Sequence, residues 1–300
     1  MAKYEVVNGV GIIPEGVTVI GEGDFEGCTS LTSVVIPEGV TEIGDDAFKK
    51  CTSLISVVIP SSVTAAIDYS AFEGCTSLTS IVVEEGNSVY DSREGCNAII
   101  ETATNKLIIG CNSTIIPSSV TKIGDCAFYG CTSLTSIVIP ESVTEIGYDA
   151  FRRCTSLTSV VIPKDVKSIG GGAFLGCKSL TSIVIPEGVT EIDEWVFSDC
   201  ISLTSIVIPE GVTKISTKAF EGCTSLTSVV IPEGVTEIGE SAFADCTSLT
   251  SIEIPSSVTT LGGVVSWDSS TIPFYGCTSL TSIVVKEGNS VYDSREGCNA

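Results

Sequence analysis

Histidine is absent from this 300-residue chain, which also contains only one methionine and two tryptophans. Its absence removes the commonest general base and the commonest neutral metal ligand. Basic residues are few, since 15 Lys and Arg stand against 37 Asp and Glu, and the net charge is −22 with a pI near 4.1. Such a charge repels phosphate backbones and anionic membrane surfaces. The composition therefore argues against nucleic-acid binding and permits basic protein partners.

Long hydrophobic runs are also missing, although the mean hydropathy is high, at +0.42. A membrane-spanning helix needs roughly 18 apolar residues or more. The apolar runs of this chain are short, and each ends at a proline or a charge, as around residues 183–187. The first residues, MAKYEVVNG, lack the basic and apolar regions of a signal peptide. Hydrophobicity spread this evenly predicts a continuous core and no membrane insertion.

One segment, CTSLTSVVIPEGV at 28–40, recurs along nearly the whole chain. Further copies begin at Cys51, Cys75, Cys131, Cys154, Cys177, Cys200, Cys223, Cys246 and Cys277. A second signature, VT-x-IG-x-x-AF-x-x-C, joins successive copies. Self-similarity at a period of about 23 residues is typical of a solenoid, in which each coil buries its apolar face against its neighbours. We therefore predict a single solenoid domain over residues 1–300, with about twelve coils and no cofactor or metal.

Within a coil, the pattern L-x-x-I-x-I predicts a β-strand whose side chains alternate between core and solvent. Leu31, Val34 and Ile36 should point inward, and Val35 should point outward. The predicted fold is mostly β, with one parallel strand per coil, from Gly11–Ile13 to Ile283–Val285 and including Thr114–Ile116. A short helical turn is predicted at each Ala-Phe pair. The glycine before that turn is predicted to adopt a φ that other residues disfavour, at Gly44, Gly124, Gly147, Gly170 and Gly239.

The first interruption of the period lies near residues 84–113. Its segment CNAIIETATNKLIIGC at 96–111 predicts a β-hairpin insertion that turns at residues 103–104. Opposite charges and apolar pairs favour this register, which joins Glu101 with Lys106, Ile100 with Leu107, and Cys96 with Cys111. We interpret the hairpin as a scaffold feature.

The second interruption is a loop insertion at 263–270, with the sequence GVVSWDSS. Large aromatic side chains in loops are favoured anchors at protein interfaces. Trp267 therefore either packs on the wall of the solenoid or contacts a partner, and it is a candidate protein-binding residue.

The fourteen cysteines fall into two groups. Ten occupy the same repeat position and are predicted to be reduced core residues, because free cysteine packs as a small hydrophobe. A metal ladder is the alternative, but the chain has no C-x-x-C motif and no histidine to complete a zinc site. Among the others, Cys96 and Cys111 are candidates for a disulfide under oxidising conditions. Cys126 is predicted to be an exposed thiol, whereas Cys298 repeats the Cys96 motif without a partner.

These motifs resemble the BspA-like leucine-rich repeat family of bacterial surface proteins, also called the Treponema pallidum-type repeat. The shared features are LTSIVIP, VTEIG-x-x-AF and the terminal cysteine, and they extend from about Gly11 to Ala300. The resemblance implies a leucine-rich repeat scaffold. It further implies an extracellular or cell-surface adhesin that engages host matrix or plasma proteins, or other microbes.

The residues themselves favour binding over catalysis. Every Ser, Thr, Asp and Glu that could act belongs to a repeated set, and a nucleophile without a base is inert. We therefore predict that the protein is not an enzyme. The outward valines of the strands form an apolar row that is a candidate protein-binding surface, namely Val35, Val58, Val138, Val161, Val184, Val207 and Val230. The other interpretation of this row is that valine simply suits a strand.

A structural role is the alternative function. Ile283–Ala300 copies Ile81–Ala98 with one substitution, and Lys3–Pro14 aligns with Lys106–Pro117. The two ends are therefore complementary, and exposed strand edges template pairing between chains. This pattern predicts a spacer or a rod that associates end to end, unless the chain is a piece of a longer surface protein.

Overall fold

A computed structural model describes residues 3–262 and 272–293 of the chain as a β-solenoid of about eleven coils of about 23 residues. The predicted fold class is confirmed. Each coil has two strand-forming walls, which we call the first wall and the second wall. The strands in chain order are β1 (Glu5–Val7), β2 (Val10–Ile12), β3 (Val19–Ile20), β4 (Ser33–Val35), β5 (Glu42–Ile43), β6 (Ser56–Ile59), β7 (Ser80–Val83), β8 (Tyr90–Asp91), β9 (Ile99–Glu101), β10 (Lys106–Ile109), β11 (Lys122–Ile123), β12 (Ser136–Val138), β13 (Glu145–Ile146), β14 (Ser159–Val161), β15 (Ser168–Ile169), β16 (Glu191–Ile192), β17 (Ser205–Val207), β18 (Lys214–Ile215), β19 (Ser228–Val230), β20 (Glu237–Ile238), β21 (Ser251–Ile254), β22 (Thr260–Leu261) and β23 (Ser282–Val285).

The first wall is built from the strands that the L-x-x-I-x-I pattern predicts. These strands pair in parallel, and each residue lies beside its equivalent in the next coil, as where β12 pairs with β14 and β17 pairs with β19. Where Ser182 and Val184 cross this wall, isolated parallel bridges to Ser159 and Val207 continue the ladder. The predicted strand at Thr114–Ile116 does not form, because the hairpin disrupts that coil.

The second wall consists of two-residue strands, which the sequence pattern did not predict. Glu42-Ile43, Glu145-Ile146 and their equivalents pair in parallel with the next coil. Each is short because a Pro-x-x corner precedes it and a tight turn follows. The inward isoleucine, such as Ile43 or Ile146, is about 1% exposed. The wall thus closes the core opposite the first wall.

The predicted helical turn at the Ala-Phe pairs is mostly wrong. One 3₁₀ helix forms there, at Tyr69–Phe72, and a second at Arg93–Gly95 lies beside the hairpin. In the other coils, left-handed residues such as Asp46 and Lys50 interrupt the helical path. The amide groups then donate to the next coil: Phe48 N lies 2.8 Å from Ala71 O. Hydrogen bonding between coils therefore replaces hydrogen bonding within a helix.

The glycines before these turns were expected to need an unusual φ, and this expectation is also wrong. Gly44, Gly147 and Gly170 do not have positive φ. A Cβ added to Gly147 or Gly170 would instead lie 2.6 Å from a backbone nitrogen of the preceding coil. Since real Cβ contacts are not this short, glycine is present because successive coils approach closely here.

Phenylalanine rings form columns through the core. Seven rings from Phe128 to Phe274 stack with centroids 4.9–5.8 Å apart, and Phe25, Phe48 and Phe72 form a shorter stack. The two stacks are separated at the hairpin coil, where Gly110 donates to Ala127 O as the phenylalanines do elsewhere. A Cβ on Gly110 would lie 2.3 Å from the Phe128 ring. The larger ring thus fills the space above a glycine.

The hairpin joins the two halves of the core. Strands β9 and β10 are antiparallel and confirm the predicted pairs of Glu101 with Lys106 and Ile100 with Leu107. Strand β10 also pairs in parallel with β11, so the hairpin extends the second wall. Its residues alternate between the two hydrophobic clusters, since Ile100 packs in the C-terminal cluster and Ile99 in the N-terminal one.

Candidate functional site

The outward valines of the first wall form the most extensive repeated apolar surface feature that the sequence predicts. We call the set Val35, Val58, Val82, Val138, Val161, Val184, Val207 and Val230 the valine stripe. The five members from Val138 to Val230 are 72–81% exposed. Because paired strands are about 4.8 Å apart, these five span about 20 Å. Their outward orientation confirms the period-two pattern.

Two polar rows accompany the exposed part of the stripe. The first row consists of the threonines that directly precede the strands. Their hydroxyls donate to the backbone carbonyl of the equivalent threonine in the preceding coil, as Thr158 does to Thr135 at 3.1 Å. These hydroxyls are therefore occupied. The serine row consists of exposed side chains whose hydroxyls form no hydrogen bond to the described residues, at Ser136, Ser159, Ser182, Ser205 and Ser228. The exposed part of the stripe is thus a band of methyl groups beside hydroxyls that form no hydrogen bond to the described residues.

The stripe changes character at both ends. Val58 and Val82 are 42% exposed whereas Val35 is 68% exposed, so the stripe is more shielded in these two coils. At the other end Glu253 replaces the valine and forms an ion pair with Lys286 at 2.9 Å. This substitution shows that the position accepts a charged side chain. The most accessible apolar segment therefore lies between Val138 and Val230.

The ten repeat cysteines are free thiols, and the eight between Cys51 and Cys246 are buried. Their sulfurs do more than fill space. Cys51 Sγ donates to Phe25 O at 3.0 Å and Cys177 Sγ to Phe151 O at 3.1 Å, each in the preceding coil. Burial raises the pKa of both thiols to about 12. The ladder is structural, and its hydrogen bonds explain why cysteine rather than alanine occupies the position.

The predicted disulfide is not formed in the structure, where Cys96 and Cys111 are both free. A register shift between Leu107 and Ile109 interrupts the hairpin before it reaches the cysteines. Cys111 Sγ donates instead to Asn97 O at 3.2 Å. The pairing of these cysteines under oxidising conditions stays a prediction.

Cys126 was predicted to be an exposed thiol, but it is partly buried. Burial, followed by the nearby carboxylates of Asp149 and Asp125, raises the pKa of this thiol to about 12. Its thiolate is therefore scarce at neutral pH.

Some predicted features lie outside the described residues. These are Trp267 with the rest of the insertion at 263–270, Cys298, and the C-terminal residues required for end-to-end association. Within residues 3–262 and 272–293, no group of three His, Cys, Asp or Glu side chains is arranged to hold a metal ion. In the same residues no helix has the length and apolar character needed to cross a bilayer.

One surface feature, a cleft between two aromatic side chains, was not predicted from the sequence. Tyr148 and Trp195, which are 61% and 42% exposed, line a cleft of about 400 Å³ in the Ala-Phe turns. The signal was present, because most other coils have a polar residue or glycine at both positions. The consensus of the repeats does not contain these two aromatic residues.

A family model of the BspA-type leucine-rich repeat region matches this chain in six copies, over residues 11–107, 98–227, 144–272 and 196–295. The chain belongs to the BspA-type leucine-rich repeat family. A leucine-rich repeat protein from Bacteroides ovatus has a similar structure, with a TM-score of 0.58 and 26% identity. The match covers 92% of this chain and 66% of that one, so this chain spans slightly less than two thirds of that protein.

Two further solved structures are similar to this chain. A leucine-rich cell surface protein from Faecalibacterium prausnitzii is 29% identical with a TM-score of 0.53, over 90% of this chain and 83% of that one. The pneumococcal vaccine antigen PcpA has a TM-score of 0.55 at 18% identity, over 86% of this chain and 68% of that one, and shows the fold alone. A search of curated sequences found no match. Membership of this family of bacterial surface proteins is consistent with a protein-binding scaffold.

Proposed function

We propose that this BspA-type solenoid is a segment of a bacterial cell-surface adhesin that binds host extracellular-matrix or other surface proteins through its first wall. The observation that carries the proposal is the stripe from Val138 to Val230, which keeps five valines largely exposed in register. Contiguous exposed apolar bands are unusual on monomers and mark interaction sites. The cell-surface relative supports an extracellular location.

The flat geometry favours a protein over a small molecule. A band about 20 Å long has the dimensions of the apolar centre of a protein interface. The neighbouring serine hydroxyls supply the polar contacts that fix orientation. The net charge of −22 favours approach by partners that carry a basic surface.

The test uses the double variant Val161→Lys/Val184→Lys. The two lysines would place charges at the centre of the interface. They should weaken binding to any matrix or plasma protein that binds the original chain by more than about tenfold. Surface plasmon resonance against immobilised extracellular-matrix and plasma proteins measures the change. Because Glu253 already occupies the same strand position, the variant should fold, and circular dichroism checks this.

The matched control is Thr190→Lys/Thr213→Lys. It adds the same charge to neighbouring coils on the second wall, at a position where another coil already has Lys167. This control should bind like the original chain. Equal binding by both double variants would move the contact away from the first wall.

A further inference from the structure

The cleft between Tyr148 and Trp195 is a second candidate binding surface, and none of its lining residues belongs to the valine stripe. The two aromatic residues come from coils two repeats apart, which places their backbones roughly 10 Å from each other. Between them lies Gly171, where an added Cβ would be 3.4 Å from the Tyr148 ring and 3.1 Å from Glu194 O. The absence of a side chain at this glycine opens the space. A volume of about 400 Å³ is within the usual range for ligand sites.

The repeat does not require aromatic residues at these positions. Trp195 adopts a φ of 56°, and the equivalent residues in other coils are mostly small or polar, namely Asp46, Cys126, Asp149, Gly172, Lys218 and Ser241. A bulky side chain in the left-handed region is uncommon and carries a local conformational cost. The position of Tyr148 is Asp, Gly, Glu or Thr in the other coils from 125 to 240, although Tyr69 occupies it in an earlier coil. Trp195 therefore departs from what folding alone favours, and Tyr148 differs from the equivalent residues of the coils next to it.

The lining of the cleft is negatively charged. It contains the carboxylates of Asp149, Asp193 and Glu194 and one guanidinium, that of Arg152. Arg152 Nη1 binds Asp149 Oδ2 at 2.9 Å, so these two charges compensate each other. Asp193 Oδ1 accepts from the Glu194 amide at 2.7 Å. Neither Asp193 nor Glu194 forms an ion pair with any residue that the structure describes.

We propose that this cleft binds the guanidinium group of an arginine side chain on a basic partner protein. A planar guanidinium stacks on aromatic faces and pairs with carboxylates, whereas a neutral group gains only the stacking. Tyr148 and Trp195 supply the faces, and Asp193 and Glu194 supply the uncompensated charge. The site acts independently of the valine stripe.

The experiment isolates Trp195 as a fluorescent reporter. The Trp267→Phe variant retains Trp195 as the only tryptophan of the chain. Acetyl-Gly-Gly-Arg-Gly-Gly-amide, titrated into this variant, should change the Trp195 emission with saturation. The same peptide with citrulline, which has the shape of arginine without its charge, should bind at least about tenfold more weakly. A lysine peptide should fall between them, because ammonium lacks the planar face.

Variants in the same background define the site. Asp193→Asn/Glu194→Gln and Tyr148→Thr should each weaken the arginine peptide by about fivefold or more. Thr217 occupies the position of Tyr148 in a later coil, so the threonine is compatible with the fold. The control Glu187→Gln/Glu210→Gln removes the same charge at exposed corners and should change the affinity by less than about twofold.

Three results would overturn the proposal. Equal binding of the citrulline and arginine peptides would show that charge is not recognised. Equal weakening by Glu187→Gln/Glu210→Gln would show that the peptide responds to the net negative charge of the protein and not to the cleft. Binding of a neutral trisaccharide such as chitotriose, with no response to the arginine peptide, would make the cleft a carbohydrate site.

Discussion

At the scale of single residues, the ladder cysteine combines packing with hydrogen bonding. Its sulfur is buried, and its S–H donates to a phenylalanine carbonyl of the coil before it, as in Cys177 with Phe151. That carbonyl also accepts the amide of Cys154 at 3.1 Å. The sequence predicted the burial, since a small apolar residue recurs at one position. It did not predict the acceptor, because the acceptor belongs to the preceding coil.

The ladder should make stability sensitive to alkaline pH. The pKa of Cys177 is raised to about 12 in the fold, whereas an unfolded thiol ionises at about 8.5. The unfolded chain therefore loses its protons first, and the free energy of unfolding falls as pH rises above about 9. Each such cysteine contributes a slope of about 1.4 kcal/mol per pH unit until its folded pKa is reached. Urea unfolding from pH 7 to 10.5 measures it.

Cys177→Ala supplies the comparison. The variant should be about 1–2 kcal/mol less stable at pH 7, from the lost S–H contact and a small cavity. It should also lose one cysteine's share of the alkaline slope. Ser182→Ala, at an exposed position without a thiol, should leave the slope unchanged. Identical slopes for Cys177→Ala and the original chain would rule out this origin of the pH dependence.

At the scale of secondary-structure elements, the hairpin insertion supports the adjoining coils. Tyr90, in β8, is 4% exposed. Its hydroxyl donates to Ala65 O at 3.1 Å and accepts from the Ile67 amide at 3.2 Å. The coil that contains Ala65 has no second-wall strand of its own. The tyrosine therefore satisfies backbone groups that a strand pairs elsewhere.

Tyr90→Phe should destabilise the protein by about 1–3 kcal/mol, because it leaves the buried Ile67 amide and the partly buried Ala65 carbonyl without these partners. Urea unfolding measures the loss, and hydrogen exchange should show faster exchange at the Ile67 amide. Tyr129→Phe serves as the control, since that hydroxyl forms no hydrogen bond to the described residues, and it should change stability by less than about 0.5 kcal/mol. Equal effects of the two substitutions would contradict the supporting role of the hairpin.

Elements whose contacts are close in sequence could be predicted, and elements that depend on contacts between coils could not. The hairpin register could be predicted because Glu101 and Lys106, and Ile100 and Leu107, are close in sequence and complementary. The register shift between Leu107 and Ile109 could not, since no pair of residues close in sequence indicates it. The Ala-Phe turns were misassigned as helical for the same reason. Their amides are paired with the next coil, which local propensity does not record.

At the scale of the whole molecule, the repeat pattern predicted the first wall, the core and the exposed valines, because each follows from strand alternation. The two candidate sites differ in how far the sequence predicts them. The valine stripe was visible as a repeated pattern, whereas the Tyr148–Trp195 cleft consists of departures from the repeat. The two surfaces divide the molecule into a periodic apolar face and a local acidic, aromatic site. A basic protein partner suits both, given the net charge of −22.

Methyl cross-saturation NMR maps the proposed contact on the first wall most directly. Valine methyl groups are labelled in this chain, a matrix or plasma protein that binds it is saturated, and the loss of signal is measured for each valine. We expect the largest losses at Val161, Val184 and Val207. The buried Val166 and Val189 of the same coils, at most 1% exposed, should keep their signals. Losses confined to valines outside the stripe would contradict binding through the first wall.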